Sequence, residues 1–223
     1  MDTVHQGDLD GAKGLYHINA VDEVTQFEIV CAVEKISERY LIPILEQLLN
    51  QFPFVILGFH ADNGSEYINQ HVVKLLNKLM IELTKSRARH SNDNALVESK
   101  NGSIVRKHLG YGHISQHWAP LVNEFHREYL NPYINYHRPC YFPVTKTNAK
   151  GKQVKTYPYD AMMTPYEKLR SLDSPSQYLR RGTTLKQLDA MALEITDNES
   201  AKRLKRAKQK LFKTINEQKH QAA

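Results

Sequence analysis

Apolar and polar positions alternate along residues 14–34. Tyr16, Ile18 and Ala20 share one face of a first run, and Phe27, Ile29, Cys31 and Val33 share one face of a second, across an Asp22-Glu23 turn. A period of two predicts a hairpin of half-buried strands. The period then lengthens. Ile44, Leu45, Leu48, Leu49 and Phe52 recur at helical spacing, with Pro43 expected near the first turn, where its missing amide proton costs least. Phe54-Val55-Ile56-Leu57-Gly58-Phe59 is apolar without interruption between Pro53 and an Asp62-Asn63-Gly64 turn, as in a strand covered on both faces. Val72, Val73, Leu75, Leu76, Leu79 and Met80 mark a second helix, and Ile81 to Lys85 suit one more short strand. With Met1 to Gln6 as the first strand, the order is β-β-β-α-β-α-β.

Residues 86–93 are polar with no apolar anchor, which predicts a loop. Asp93 or Asn94 can cap a helix running to about Leu109, with Glu98 near its start. Trp118, Leu121, Val122, Phe125 and Tyr129 predict a further helix ending around Asn131-Pro132, and Trp118 fits its apolar stripe as a core anchor. A compact unit over residues 1–140 is expected. Residues 141–223 then form a basic, mainly helical extension. In it, Lys146, Lys150, Lys152 and Lys155 surround an Asn148-Ala149-Lys150-Gly151 turn that fits a small exposed hairpin, and Thr196-Asp197-Asn198-Glu199 opens the last helix as a capping box.

Composition excludes several classes. No apolar run is long enough to cross a bilayer, and 12 Tyr and 7 Phe with abundant aliphatic residues exclude a wholly disordered chain. Cys31 and Cys140 supply no disulfide framework, and the first residues lack the pattern of a signal peptide, so an intracellular, reduced protein is expected. Cys31 reads as a small buried hydrophobe. His137 and Cys140 lack a second pair at metal-ligand spacing and do not make a zinc set.

Charge divides the chain. Residues 1–98 hold 8 Lys/Arg against 14 Asp/Glu, whereas residues 99–223 hold 22 against 10. A basic second half suits a polyanion partner, or else a solvated face. The acidic first half needs its own reason. Asp2 stands in the presumed first strand, Asp62 where the apolar strand ends, and Glu98 early in a helix. Separately, Asp62 fits an Asx turn and Glu98 complements a helix dipole. Brought together, three carboxylates would repel unless cations neutralised them, and hard divalent ions take such oxygen ligands.

Three segments carry a resemblance: Asp2-Thr3-Val4-His5, His60-Ala61-Asp62-Asn63-Gly64-Ser65-Glu66-Tyr67, and Asn92-Asp93-Asn94-Ala95-Leu96-Val97-Glu98-Ser99-Lys100-Asn101. In that order, with 35 residues between the second and third acids, they resemble the integrase catalytic core of the DDE transposases and retroviral integrases. The resemblance covers roughly residues 1–140. It implies an RNase H-like α/β fold, a mixed five-stranded sheet flanked by helices. It also implies an Asp2, Asp62 and Glu98 triad binding two Mg²⁺ or Mn²⁺ ions, and DNA cleavage and strand transfer. The implied partners are double-stranded DNA, as transposon ends and target, and at least one further copy of the chain. A bacterial cytoplasmic, nucleoid-associated setting follows.

Lys100, Arg106 and Lys107 follow Glu98 and are candidates for phosphate contacts, or else solvated helix charges. Arg87, Arg89 and His90 in the polar loop are candidates to clamp DNA. Two departures stand out. Asp2 directly follows Met1, which shortens the family's central strand, and the family's upstream helix-turn-helix region is absent. A truncated or separately encoded catalytic part is therefore expected. Its alternatives are a noncatalytic DNA-binding remnant and an RNase H-like nuclease.

Overall fold

The computed structural model describes residues 1–61, 70–78, 80–85 and 94–221. Asp62, Leu79, Arg87, Arg89, His90 and Asp93 lie outside the described residues.

The architecture is mixed α/β. β1 (Asp2–His5) is followed by a minimal hairpin of β2 (Asp8–Leu9) and β3 (Ala12–Lys13), then by a long hairpin of β4 (Tyr16–Val21) and β5 (Glu28–Val33). β4 lies between β1 and β5, antiparallel to both, with Asp2 opposite Asn19 and Ile18 opposite Cys31. The predicted hairpin is thus present. Its turn closes where Asp22 accepts hydrogen bonds from the amide and the hydroxyl of Thr25, at 2.7 and 2.6 Å.

Both faces of this sheet are covered, not one. Ile18, Ala20, Phe27, Ile29, Cys31 and Val33 enter a first apolar cluster, and the opposite face sends Val4, Val30 and Ala32 into a second. The half-buried expectation fails because helices lie on each side. α1 (Glu38–Asn50) buries Leu41, Leu45, Leu48 and Leu49 in the first cluster. Pro43 sits at its sixth residue, past the first turn where it was expected. The carbonyl of exposed Arg39, deprived of its i+4 donor, can turn to water, and the buried leucine stripe holds the helix in spite of it.

β6 (Gly58–Ala61) starts four residues later than the apolar run predicts and pairs in parallel with β7 (Glu82–Lys85), after α2 (Gln70–Lys78). Residues 53–55 instead pair with the segment around Leu179. The Val55 amide donates to the Tyr178 carbonyl and the Arg180 amide to the Pro53 carbonyl, at 2.8 and 3.0 Å, and Leu57 is exposed. Among the described residues, β1, β4 and β5 form a three-stranded sheet and β6 and β7 a separate parallel pair, so the single five-stranded sheet expected is not shown. β1 has few residues with which to bridge them. At its start the Met1 ammonium donates to the His60 carbonyl at 2.8 Å, which sets β6 beside β1.

The second layer begins with α3 (Ala95–Lys100), which continues through a π-helical stretch (Asn101–Arg106) into α4 (Lys107–Leu109). Asn94 occupies its N-cap position without a side-chain bond to the first turn. A long rod follows: a 3₁₀ turn (Gln116–Trp118), α5 (Ala119–Phe125) and π-helical turns at His126–Leu130 and Tyr133–His137. The rod passes the expected stop at Asn131-Pro132. In an α-helix the ring of Pro132 would strike the carbonyl four residues back; here it lies between two π-helical turns. Trp118 is buried, as its place in the apolar stripe suggests.

This rod closes the open edge of β5 with amide side chains. Asn123, Asn131 and Asn135 accept from the amides of Ala32, Val30 and Glu28 at 2.6, 3.1 and 2.8 Å. Each also donates to the carbonyl of the same residue, at 2.7, 3.2 and 2.7 Å. An edge strand inside a protein must satisfy both groups of alternate residues, and an asparagine side chain offers a carbonyl acceptor and an NH₂ donor side by side in one plane. Asn131→Leu is expected to lower stability by about 3 kcal/mol, since it orphans a buried N–H and a buried C=O together. Urea unfolding would measure this, and a loss below about 0.5 kcal/mol would show that the edge does not depend on Asn131.

The chain past residue 140 joins both clusters. α6 (Pro165–Arg170) contributes Tyr166 and Leu169, and α7 (Leu185–Leu193) contributes Leu188, to the first. α8 (Asp197–Gln221) contributes Leu204, Leu211 and Ile215 to the second. Thr196 caps α8, its hydroxyl accepting from the Glu199 amide at 3.2 Å.

Candidate functional site

Asp2 opens β1 with both carboxylate oxygens engaged. Oδ1 accepts from the Thr3 amide at 2.7 Å and Oδ2 from Asn101 Nδ2 at 2.6 Å. Asn101 is oriented in turn by Asn19, which faces Asp2 across the β1–β4 ladder and donates from Nδ2 to Asn101 Oδ1 at 3.0 Å. Because Asn101 must accept from Asn19, its NH₂ can only point at Asp2. Asn19 is fully buried, so the pair is fixed from inside the sheet.

Asn101 lies three residues after Glu98, on the same flank of the helix. Its bond to Asp2 therefore brings the strand carboxylate within about one helical turn of Glu98, whose side chain is exposed. That bond joins the strand of one of the three acids singled out in the sequence to the helix that carries another. Asp62, directly after Ala61 of β6, is outside the described residues, and no group of three potential metal ligands occurs among the described ones.

Lys100 is not at the surface. It is 6% exposed, with Nζ 3.1 Å from Cys140 Sγ and 3.8 Å from a carboxylate oxygen of Glu28, itself 1% exposed. At that length the ion pair lacks a hydrogen bond. Burial therefore outweighs the pull of Lys100, Asn19 and Arg138 and raises the Glu28 carboxyl to about 7. The phosphate contact expected of Lys100 does not agree with this position. Sequence reasoning missed Asn19, Asn101 and Glu28; the one available signal was an acid inside the apolar run of β5, which calls for an internal partner.

Arg106 is also structural in part. Its Nη2 donates to the His5 carbonyl at 2.9 Å, and its guanidinium lies over the Tyr111 ring, 4.8 Å from the centroid. Lys107 is exposed, as a phosphate contact requires. Beside it, burial first and then the Lys208, Lys107 and Arg138 cations depress the His108 imidazole to about 4. Cations from three parts of the chain, the adjacent Lys107 and the more distant Arg138 and Lys208, thus act on His108. Arg87 and Arg89 fall outside the described residues.

Elsewhere, an apolar cavity of about 630 Å³ is lined by Met1, Phe52, Phe54, Phe59, Leu169 and Leu172 among others. No helix among the described residues is long and apolar enough to cross a membrane.

No protein-family profile matches the chain. It is 35% identical over 153 residues to an uncharacterised protein, y4rM, of Sinorhizobium fredii (strain NBRC 101917 / NGR234). That match takes in 69% of this chain and 44% of the relative, so the chain spans less than half the length of the curated relative it matches. Among solved structures, the catalytic core domain of BIV integrase superposes with a TM-score of 0.46 at 16% identity, over 75% of this chain and 89% of that one.

Proposed function

We propose that the chain is the catalytic region of a DDE-type transposase or integrase, cutting DNA and joining the freed 3′ end to a target with two divalent ions, Mg²⁺ or Mn²⁺. The observation that carries this reading is the Asn101–Asp2 hydrogen bond, which unites a strand carboxylate with the helix of Glu98 across 99 residues of sequence. The Met1–His60 contact supports it further, since Asp62 follows His60 by two residues. On this reading the strands are related in the order β5-β4-β1-β6-β7, in the RNase H-like manner.

The donor set fits hard cations. Asp2, Asp62 and Glu98 would hold the ions through carboxylate oxygens, and each oxygen of Asp2 keeps lone-pair capacity beyond the one hydrogen bond it accepts. When bound, the ions supply activation of a water or a DNA 3′-hydroxyl and stabilisation of the leaving oxygen. The protein's own residues position. Asn19 and Asn101 fix the Asp2 carboxylate, and Glu98 presents an exposed carboxylate from a helix packed on the sheet. Lys107, Arg138 and Lys208 give the duplex a cationic bed, with Arg87 and Arg89 as further clamps. Two transposon ends handled together call for at least two copies of the chain.

Isothermal titration with Mn²⁺ tests the assignment. Two binding events are expected, and both should vanish in Asp62→Asn. An isotherm unchanged by that substitution would overturn the reading. Product analysis on a preprocessed end would then distinguish joining from cutting alone.

A further inference from the structure

Between the rod and α6 the chain runs out into a two-stranded ribbon, β8 (Val144–Thr147) and β9 (Gln153–Thr156). Its register pairs Lys146 with Val154 and Thr145 with Lys155, so the two strand lysines lie on opposite faces. Lys150 and Lys152 sit at the tip. Every residue from 143 to 155 is exposed. Between residues 139 and 159 the sequence has four lysines and no acid, and no described carboxylate pairs with any of the four.

The ribbon is nonetheless built firmly. At the tip, Asn148 Oδ1 accepts from the amides of Lys150 and Lys152, both at 3.0 Å, and Gly151 takes the positive φ that the turn requires. At the base, Cys140 and Met163 exchange backbone hydrogen bonds of 2.8 and 3.2 Å, and Phe142 is buried. The base also meets the candidate site: Cys140 Sγ lies 3.1 Å from Nζ of Lys100, two residues after Glu98.

An isolated two-stranded hairpin is marginal in water, and this one buries no side chain along its strands to offset the repulsion of four like charges. A polyanion supplies the missing counter-charge. The major groove of B-form DNA admits a two-stranded β-ribbon and presents phosphates on both sides of it. Lysines on both faces and at the tip match that geometry.

We propose that the β8–β9 ribbon docks in the major groove of the DNA duplex handled at the Asp2–Glu98 site. The inference rests on the proposed function, because the duplex is that reading's substrate.

Fluorescence anisotropy of the full chain on a labelled linear duplex, over a range of salt concentrations, tests it. Each neutralised phosphate contributes about 0.9 to the slope of log affinity against log salt, so replacing Lys146, Lys150, Lys152 and Lys155 together by Gln should flatten that slope by about 3.6. Replacement of all four by Arg should restore it. Replacing Lys202, Lys205, Lys210 and Lys213 of α8 by Gln removes equal charge and should change the slope by less than half as much. Methyl green, which occupies the major groove, should displace the unsubstituted chain, whereas netropsin, in the minor groove, should not. A Gln variant that keeps the original slope, or displacement by netropsin alone, would overturn the ribbon proposal and leave the proposed function standing. Failure of the unsubstituted chain to bind the duplex would overturn both.

Discussion

Glu98→Gln is expected to reduce metal-dependent strand transfer by roughly a thousandfold or more while leaving the fold untouched. The side chain is exposed, and no described residue bonds its carboxylate, so the change should move stability by less than about 0.5 kcal/mol. Its effect on reaction would come through the ions, whose stabilisation of developing charge contributes several kcal/mol; about 4 kcal/mol corresponds to three orders of magnitude. Asp2→Asn should behave differently. Both oxygens of Asp2 face donors, the Thr3 amide and Asn101 Nδ2, so an amide there must oppose one N–H to another. Asn101 cannot relieve the clash by turning over, because its Nδ2 would then face the Nδ2 of Asn19. Asp2→Asn should therefore lose activity and also about 1–3 kcal/mol of stability. Strand-transfer assays beside urea unfolding would separate the two, and a fully active Glu98→Gln protein would end the assignment of the third ligand.

What could be read from the sequence follows from how local each cause is. The β4–β5 hairpin is legible because Ile18, Ile29 and Cys31 alternate on a single face that meets α1. The opposite face is not, because its cover comes from a helical rod a hundred residues away, and the polar residues His17 and Asn19 that it buries look like solvent-facing positions. The same distance hides the asparagine edge. Asn131 and Asn135 stand four apart on a helix, and nothing local shows that they answer the amides of Val30 and Glu28. Residues 54–57 read as strand because they are apolar, yet the backbone at Pro53 and Val55 is taken by Arg180 and Tyr178, which no period in the sequence announces. Lys100 reads as a surface charge on a helix, and its buried place depends on Glu28 and Cys140, 72 residues before it and 40 after it. Asp2 and Glu98 become candidates only jointly with Asp62 and through the resemblance of the segments that hold them, and nothing local shows that Asn101 ties the strand of the first to the helix of the second.

Acid should unfold this protein from just below neutrality, and the cause is three depressed histidines, His17 on the covered face of the sheet and His108 and His126 in the helical layer. Burial, with the nearby Arg106 guanidinium adding to it, depresses the His17 imidazole from 6.5 to about 3. His126 is held well below its ordinary value by burial and then by His17 and His108, and His108 falls to about 4. Each is depressed in the folded state, so each contributes stability that is present above about 6.5 and is lost as pH falls toward the folded values. Over most of that window the unfolded chain takes up three protons that the folded chain refuses. Glu28 acts in the opposite sense, because its folded carboxyl keeps a proton up to about 7, whereas the unfolded one releases it above about 4.5. The net uptake on unfolding is two protons, and stability should fall by about 2.7 kcal/mol per pH unit. Two or three pH units would remove about 5–8 kcal/mol, which equals the whole stability only toward the lower end of the usual range of about 5–15 kcal/mol. Urea titrations at neutral pH and at successively lower pH would give the slope, and equal stability at pH 7 and pH 5 would sink the account. Two substitutions move the slope in opposite directions. In His126→Phe one proton is removed, which should halve the slope without loss at neutral pH, because neither ring nitrogen of His126 meets a hydrogen-bonding group among the described residues. Glu28→Gln mimics the neutral carboxyl that the folded chain already holds in acid, so it abolishes only the unfolded-state ionisation. The slope should then steepen to about 4 kcal/mol per pH unit.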